Sequence, residues 1–176
     1  MEVVWPLSLV ITSLITSLRT QHRFSSFEVL VLNVTLSHMH TKKSLMSLAL
    51  ATVYRPPWPY TVFLRKFTDF LSDLLVNFDK ALIVGDFNIH VDDTNDALGL
   101  TFMDLLNSLG LKQNITSATH RRNHTLDLII SHRIEVTDID IIPQSDDITD
   151  HYLIMYTLPI EQTNYVSLGE NHYLTR

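Results

Sequence analysis

Apolar residues along the chain change their spacing several times, and each spacing predicts a different element. Dense runs of β-branched and large apolar residues predict strands at 27–34 and 45–54, and the second run stops at a cluster of prolines. Between residues 63 and 75 the apolar positions recur every three or four residues, which predicts a helix with one apolar face. The run 81–85 is apolar throughout, as is typical of a strand covered on both faces.

The second half of the chain repeats this alternation. Residues 98–109 predict another amphipathic helix that ends at Gly110, and three further strands are predicted at 125–131, 134–142 and 152–158. The tail after Pro159 has no period, and we expect it to be loose. Strands that alternate with two helices predict an α/β (α+β) sheet protein.

The apolar segment 3–18 is open to three interpretations. A signal peptide would need a basic start where Glu2 stands, and a membrane span would need about 18 or more uninterrupted apolar residues. We interpret the segment as one or two buried strands and expect no membrane span. The chain has no cysteine, which excludes disulfides and thiolate metal sites and fits an intracellular protein.

Charge restricts the partners that the chain can bind unaided. The sequence carries 13 Lys and Arg against 19 Asp and Glu, a net charge of −6. Domains that bind a phosphate backbone usually carry a basic excess. Binding of nucleic acid would therefore need a local basic patch or a bound cation.

Five polar residues lie in or at the ends of strands that are otherwise apolar. They are Asp86, Asn88, Asp127, Asp150 and His151. Burial of a carboxylate without a partner is costly, so we expect these side chains to meet at one site.

Taken singly, each motif has a structural and a functional interpretation. In an extended segment Asp86 and Asn88 would point the same way and could hold a water against a phosphate, but an Asx turn explains them equally well. Asp127 is either a structural aspartate or the residue that orients a histidine. His120 and His124 are four residues apart, but no cysteine or helix supports a zinc site there, and Arg121 and Arg122 would oppose a cation.

The order of the motifs resembles the endonuclease/exonuclease/phosphatase family. The carriers are Val-Tyr-Arg-Pro-Pro at 53–57, Ile-Val-Gly-Asp-Phe-Asn-Ile-His at 83–90, Thr-His at 119–120, Thr-Leu-Asp-Leu-Ile at 125–129 and Thr-Asp-His at 149–151. The first two are similar to LINE-type retrotransposon endonucleases in particular. The resemblance covers about residues 27–158, with 1–26 as an N-terminal remnant and 159–176 as the tail.

The resemblance implies a four-layer sandwich, two packed sheets flanked by helices, and metal-dependent phosphodiester hydrolysis. By motif, Asp86 would position or deprotonate the attacking water, while Asn88 and Tyr54 would contact the phosphate. Asp127 would be the partner of a catalytic His151, at a distance of about 2.6–3.2 Å, and Asp150 with Asp86 would lie at the metal. Mg²⁺ or Mn²⁺ suits such oxygen ligands. The implied partner is the DNA backbone, with no known protein partner, and a functional enzyme would act in the nucleus.

The family also has an early Asn and a metal-binding Glu, and we expect the strands that carry them to be missing here. Glu2 and Glu28 precede the Tyr-Arg-Pro-Pro motif, but neither lies in the family's metal-Glu context, and Thr149 replaces the usual Ser. We therefore expect weak cation binding and an impaired enzyme. The alternative is an inactive relic of a retrotransposon. The Tyr-Arg-Pro-Pro segment disfavours a lipid or nucleotide phosphatase.

Overall fold

The computed structural model describes residues 13–37, 44–57, 62–145, 147 and 149–159. Eight strands and two helices follow one another in these ranges. They are β1 (Ser13–Arg23), β2 (Glu28–Ser37), β3 (Ser44–Tyr54), α1 (Phe63–Asn77), β4 (Ala81–Asp86), α2 (Ala97–Ser108), β5 (Lys112–Gln113), β6 (Asp127–His132), β7 (Thr137–Ile142) and β8 (Leu153–Thr157).

Six of the strands form a mixed sheet in the order β1-β2-β3-β4-β6-β5, and β7 pairs with β8 in a separate two-stranded sheet. The pairs are antiparallel except β3 and β4, which run parallel. A parallel pair needs a crossover, and α1 supplies it. The predicted α/β class, with two sheets and two helices, is confirmed.

The two faces of the large sheet bury different partners. On β4, Ala81 and Ile83 belong to a core shared with α1 and α2, whereas Leu82 and Val84 belong to a second core shared with β7 and β8. This alternation follows from the two-residue period of a strand. Helices, large sheet and small sheet therefore form three successive layers.

Phenylalanine rings fill the core on the helix side. Phe67 is fully buried, and its ring centroid lies 5.1–5.9 Å from the centroids of five other rings, those of Phe27, Phe63, Phe70, Phe87 and Phe102. The predicted helix period placed Phe63, Phe67 and Phe70 on one face, and all three are buried.

Local signals explain where α2 begins and ends. The side chain of Asp96 accepts a hydrogen bond from the backbone N–H of Leu98 and caps the first turn. Gly110 has a φ of +67°, and the N–H of Leu111 returns to the carbonyl of Leu106. Gly110 thus ends the helix as predicted, because the left-handed conformation favours glycine.

The N-terminal segment is described in part. β1 pairs along β2 from Ser13 to Arg23, so the sheet extends beyond the segment that carries the motifs. The rest of the predicted N-terminal strands, residues 1–12, and the tail from residue 160 lie outside the described residues. The division into 1–26, 27–158 and 159–176 stays a prediction.

Candidate active site

The register of the large sheet places four side chains in one row. Glu28 pairs with Tyr54, Tyr54 with Asp86, and Asp86 with Asp127, across β2, β3, β4 and β6. Paired residues project to the same face of a sheet, which here is the face covered by β7 and β8. We call these four residues, three acids and Tyr54, the carboxylate row. Sequence reasoning had set Glu28 aside because it does not lie in the family's metal-Glu context, but the register brings it to the same end of the sheet.

His151 reaches the carboxylate row from the loop before β8. Its Nδ1 lies 2.8 Å from Oδ2 of Asp127, within the range expected from the sequence. A carboxylate at Nδ1 fixes the proton on that nitrogen and leaves the lone pair of Nε2 available. The N–H of His151 donates to Oγ1 of Thr149 at 3.1 Å, a bond that a Thr or a Ser hydroxyl can accept equally.

Three carboxylates determine the protonation of His151. Burial alone would lower the pKa of its imidazole, but the hydrogen bond and charge of Asp127, together with the charges of Asp86 and Asp150, raise it above its ordinary value. The charges of Asp86, Asp127 and Asp150 therefore all act on one ring. The structure therefore brings the predicted residues to one place.

Asp86 and Asn88 adopt one of the two arrangements that the sequence left open. β4 ends at Asp86, and Asn88 is not extended but has a φ of +49°. The N–H of Asn88 donates to Oδ1 of Asp86 at 3.0 Å, which is the Asx turn considered as the structural alternative. The physical reason is the strand end, where the chain must turn away from the sheet.

The amide of Asn88 is also occupied by protein acceptors. Its Nδ2 donates to Oδ2 of Asp86 at 3.0 Å and to the carbonyl of Arg55 at 2.8 Å. Contact with a phosphate would require one of these bonds to open. In the structure Asn88 orients Asp86, and its predicted role as a phosphate contact stays a prediction.

Arg55 holds this turn from the helix side. Its fully buried guanidinium donates from Nη1 to the carbonyls of Phe87 and Asn88 at 3.0 and 3.1 Å, and its carbon Cζ lies 4.9 Å from the centroid of the Phe63 ring. The N–H of Arg55 donates to the carbonyl of Asp86 at 2.8 Å. Sequence reasoning quoted Arg55 within its motif but gave it no role.

Burial and repulsion act together on Asp86. Burial raises the pKa of its carboxyl, the charge of Asp127 raises it further, and the hydrogen bonds from Asn88 oppose the shift without cancelling it. Like charges directly opposite on neighbouring strands are destabilising, so a cation between these side chains would relieve the repulsion. The donor set fits Mg²⁺ because it consists of carboxylate oxygens.

Tyr54 and Asp150 complete the predicted set at its solvent side. Tyr54 is 52% exposed beside Asp86, where a phosphate could reach it. The side chain of Asp150 is 49% exposed, and its Oδ2 lies 3.1 Å from Nε2 of His120. That hydrogen bond is the main cause of the lowered pKa of Asp150. Their roles as phosphate contact and metal ligand stay predictions.

Thr119 is a buried residue whose hydrogen bonds position two parts of the site, and sequence reasoning gave it no role. Its Oγ1 accepts the N–H groups of Leu126 and Asp127, both at 3.0 Å, and its carbonyl accepts the N–H of Tyr152 at 2.8 Å. Thr119 therefore fixes the start of β6 and the loop that carries His151. The available signal was its place in the Thr-His motif.

His120 and His124, which the sequence analysis disfavoured as a zinc pair, do not share one site. His120 contacts Asp150, whereas Nδ1 of His124 lies 3.2 Å from Oδ2 of Asp92 and its ring stacks on His90 at 4.1 Å. A different group could hold a metal ion: His120, Asp150 and His151 offer ligand atoms that lie within 4.8 Å of one another.

Comparisons with known proteins find similarity among solved structures. The chain matches no protein-family model, and a comparison with curated proteins finds no significant relative. Among solved structures, it is similar to an endonuclease/exonuclease/phosphatase family protein from Bacteroides thetaiotaomicron, with a TM-score of 0.46 and 10% identity. The match covers 77% of this chain and 57% of that one.

At that identity and TM-score the likeness carries no conclusion about activity. The chain spans little more than half of the solved relative. Among the described residues, no helix is long and apolar enough to cross a membrane. Any statement on chemistry therefore depends on the geometry of the carboxylate row and His151.

Proposed function

We propose that the chain has the catalytic site of a metal-dependent phosphodiester hydrolase of the endonuclease/exonuclease/phosphatase type, with DNA as its substrate. The observation that carries the proposal is the hydrogen bond between Asp127 and His151 beside the paired carboxylate of Asp86. The ordered motifs at 53–57, 83–90 and 149–151 support the LINE-type endonuclease within that class.

The side chains divide the chemistry between them. Asp86, whose pKa is raised, accepts the proton of the attacking water as the new bond to phosphorus forms. His151, whose pKa is also raised, carries positive charge over a wider pH range and stabilises the negative charge on the phosphoryl oxygens. The bond from phosphorus to the leaving oxygen breaks, and that oxygen takes its proton from His151.

Asp150 and Asp86 would hold a divalent cation. When bound, Mg²⁺ neutralises charge on the phosphate oxygens. We expect binding to be weak, because Asp127 is engaged by His151 and two predicted ligands remain. The exposed Arg121 and Arg122 beside Asp150 add local positive charge in an acidic chain, which helps a polyanion approach.

Nicking of supercoiled plasmid in Mg²⁺ or Mn²⁺ tests the proposal. We expect slow nicking that EDTA abolishes and that His151→Ala lowers by about 10²–10⁴-fold, since a positioned acid or base contributes that much. Asp140→Asn, an exposed aspartate on β7, is the matched control and should leave the rate unchanged.

Two results would count against the proposal. A folded wild-type chain that never nicks, even at high cation concentration, would favour the inactive relic. Nicking that survives His151→Ala at the full rate would point to a contaminating nuclease.

A further inference from the structure

The ring of His120 is held between a backbone donor and a carboxylate. The N–H of Arg122 donates to Nδ1 of His120 at 3.1 Å, and Nε2 lies 3.1 Å from Oδ2 of Asp150. A nitrogen that accepts an N–H carries no proton, so the proton of the neutral ring is on Nε2. That N–H therefore points at Asp150 as a donor.

This arrangement distinguishes His120 from a metal ligand. A metal-bound imidazole offers one bare nitrogen to the ion and usually donates its other N–H to an acceptor. Nδ1 of His151 does face an acceptor, Asp127, but Nδ1 of His120 faces a donor. Coordination through Nε2 of His120 would move its proton to Nδ1 and bring two N–H groups together.

Backbone contacts tie His120 to the same loop. His120 forms an isolated β-bridge with His151, and the N–H of Arg121 donates to the carbonyl of Asp150 at 2.9 Å. The two histidine rings pack edge to face with centroids 5.0 Å apart. The side chain of His120 is only 8% exposed, whereas that of Asp150 is 49% exposed. A buried group thus restrains a solvent-exposed one.

We propose that His120 is a positioning residue that fixes the carboxylate of Asp150 through its Nε2–H and does not itself bind the cation. The proposal rests on the function proposed above, in which Asp150 is a cation ligand. Its physical effect is to reduce the rotamer freedom that an exposed aspartate would lose on binding a cation. Mutation of such a supporting residue typically costs about 10–100-fold in metal affinity or activity.

Two substitutions separate the two hydrogen bonds of the ring. The amide nitrogen of Gln lies about as far from the backbone as Nε2, so His120→Gln keeps a donor for Asp150. The amide of Asn lies about as far as Nδ1, so His120→Asn keeps only an acceptor for the N–H of Arg122. His132→Asn is the matched control, because His132 is at the opposite end of β6 from Asp127.

Mn²⁺ affinity, measured by electron paramagnetic resonance, and the nicking rate should separate the variants. We expect both to stay near wild type in His120→Gln and in His132→Asn, and to fall about 10–100-fold in His120→Asn, with thermal unfolding unchanged. If His120→Asn keeps both and His120→Gln loses them, the bond to Arg122 matters instead, and the proposal is overturned.

A measurement on the metal-free protein separates this proposal from the function on which it rests. Nitrogen NMR of the labelled imidazoles should show His120 protonated at Nε2, and Asp150→Ala should shift that resonance. Addition of Zn²⁺ should shift the ring of His151 while His120 keeps its Nε2 proton. Loss of that proton would make His120 a ligand and overturn the proposal. If the expected tautomer is found in a chain that neither binds Mn²⁺ nor nicks, the proposed function fails and the contact between His120 and Asp150 stands.

Discussion

The two faces of the large sheet are built from the same strands but differ in what they contain. The face toward α1 and α2 is a packed aromatic core in which Phe67 and its neighbours are fully buried. The face toward β7 and β8 is apolar in its middle and ends in the carboxylate row. On β4, Ile83 lies in the first core, whereas Asp86, three residues later, lies on the second face.

This difference separates stability from chemistry along each strand. Directly opposed carboxylates such as Asp86 and Asp127 cost about 0.2–1 kcal/mol. The aromatic core offsets that cost, because burial of each large side chain contributes about 1.5–3 kcal/mol. Arg55 connects the two faces, since it is packed on Phe63 and bonded to the carbonyls of Phe87 and Asn88.

The largest expected effect is a loss of stability that disrupts both faces at once. Gly85 lies in β4, and the side chains of β4 contribute to both cores. A Cβ at Gly85 would lie 1.8 Å from the carbonyl oxygen of Val53, and its φ is +145°. We expect Gly85→Ala to separate β3 from β4 and to cost more than about 3 kcal/mol, enough to unfold a marginal domain. Circular dichroism and thermal unfolding measure this.

Gly110→Ala is the control for this substitution. Gly110 also has a positive φ, but among the described residues no atom beyond Gly110 and its chain neighbours lies within 4 Å of the added Cβ. Its cost should be about 1–2 kcal/mol, from backbone strain alone. A Gly85→Ala protein as stable as Gly110→Ala would refute the steric explanation.

The second largest expected effect is a loss of stability that is confined to the helix face. Phe67→Ala should lower the free energy of unfolding by about 3–5 kcal/mol, through lost burial and the cavity that remains. Nicking per folded molecule should not change, because Phe67 lies in the core on the opposite face of the sheet from the carboxylate row. Val76→Ala, on the same helix at a position 86% exposed, should change stability by less than about 0.5 kcal/mol.

For Phe67→Ala, denaturant titration gives the free energy of unfolding. The nicking rate divided by the folded fraction gives the rate per folded molecule. A loss of rate per folded molecule as large as the loss of stability would show that the two faces are not separable.

The smallest effect is confined to the site face and depends on pH. The folded state raises the pKa of His151, so it holds the imidazole proton more tightly than the unfolded chain does. The resulting stabilisation is fully present below the unfolded pKa, about 6.5, and is lost as the pH rises through the folded pKa. In EDTA, the stability difference between wild type and His151→Gln should therefore shrink as the pH rises.

Thermal unfolding across a pH series checks this sign. The same comparison in an Asp127→Asn background should show a weaker pH dependence, because the main partner that raises the pKa of His151 is then neutral. A stability difference that grows with pH would mean that burial dominates at His151.

Local sequence patterns predicted the elements because their signals are local. The three-to-four-residue period of α1 and the apolar run of β4 gave those elements nearly as they are. β5 was missed, since Lys112 and Gln113 form a strand only by pairing with Ser131 and Ile130. The order of the strands was likewise beyond a local pattern, because it joins β4 to β6 past β5.

The site was predictable as a set of residues but not as a geometry. Asp127 and His151 were paired by the resemblance, and the hydrogen bond between them is present. The sequence left an extended segment and an Asx turn equally open at Asn88, because part of the constraint comes from Arg55, which is 33 residues away. His120 has no local signal for its contact with Asp150, which lies 30 residues further along the chain.

The carboxylate row also has a consequence for how the chain folds. Its members come from positions 28, 54, 86 and 127, and His151 joins them later still. Contacts between residues so far apart in sequence close large loops and form late. The aromatic residues of α1 can pack together early in folding. Asp86 comes next to Asp127 and His151 only after β6 has paired with β4. The hydrogen bond between Asp127 and His151 should therefore form with the slowest refolding phase, after most of the helical signal has returned.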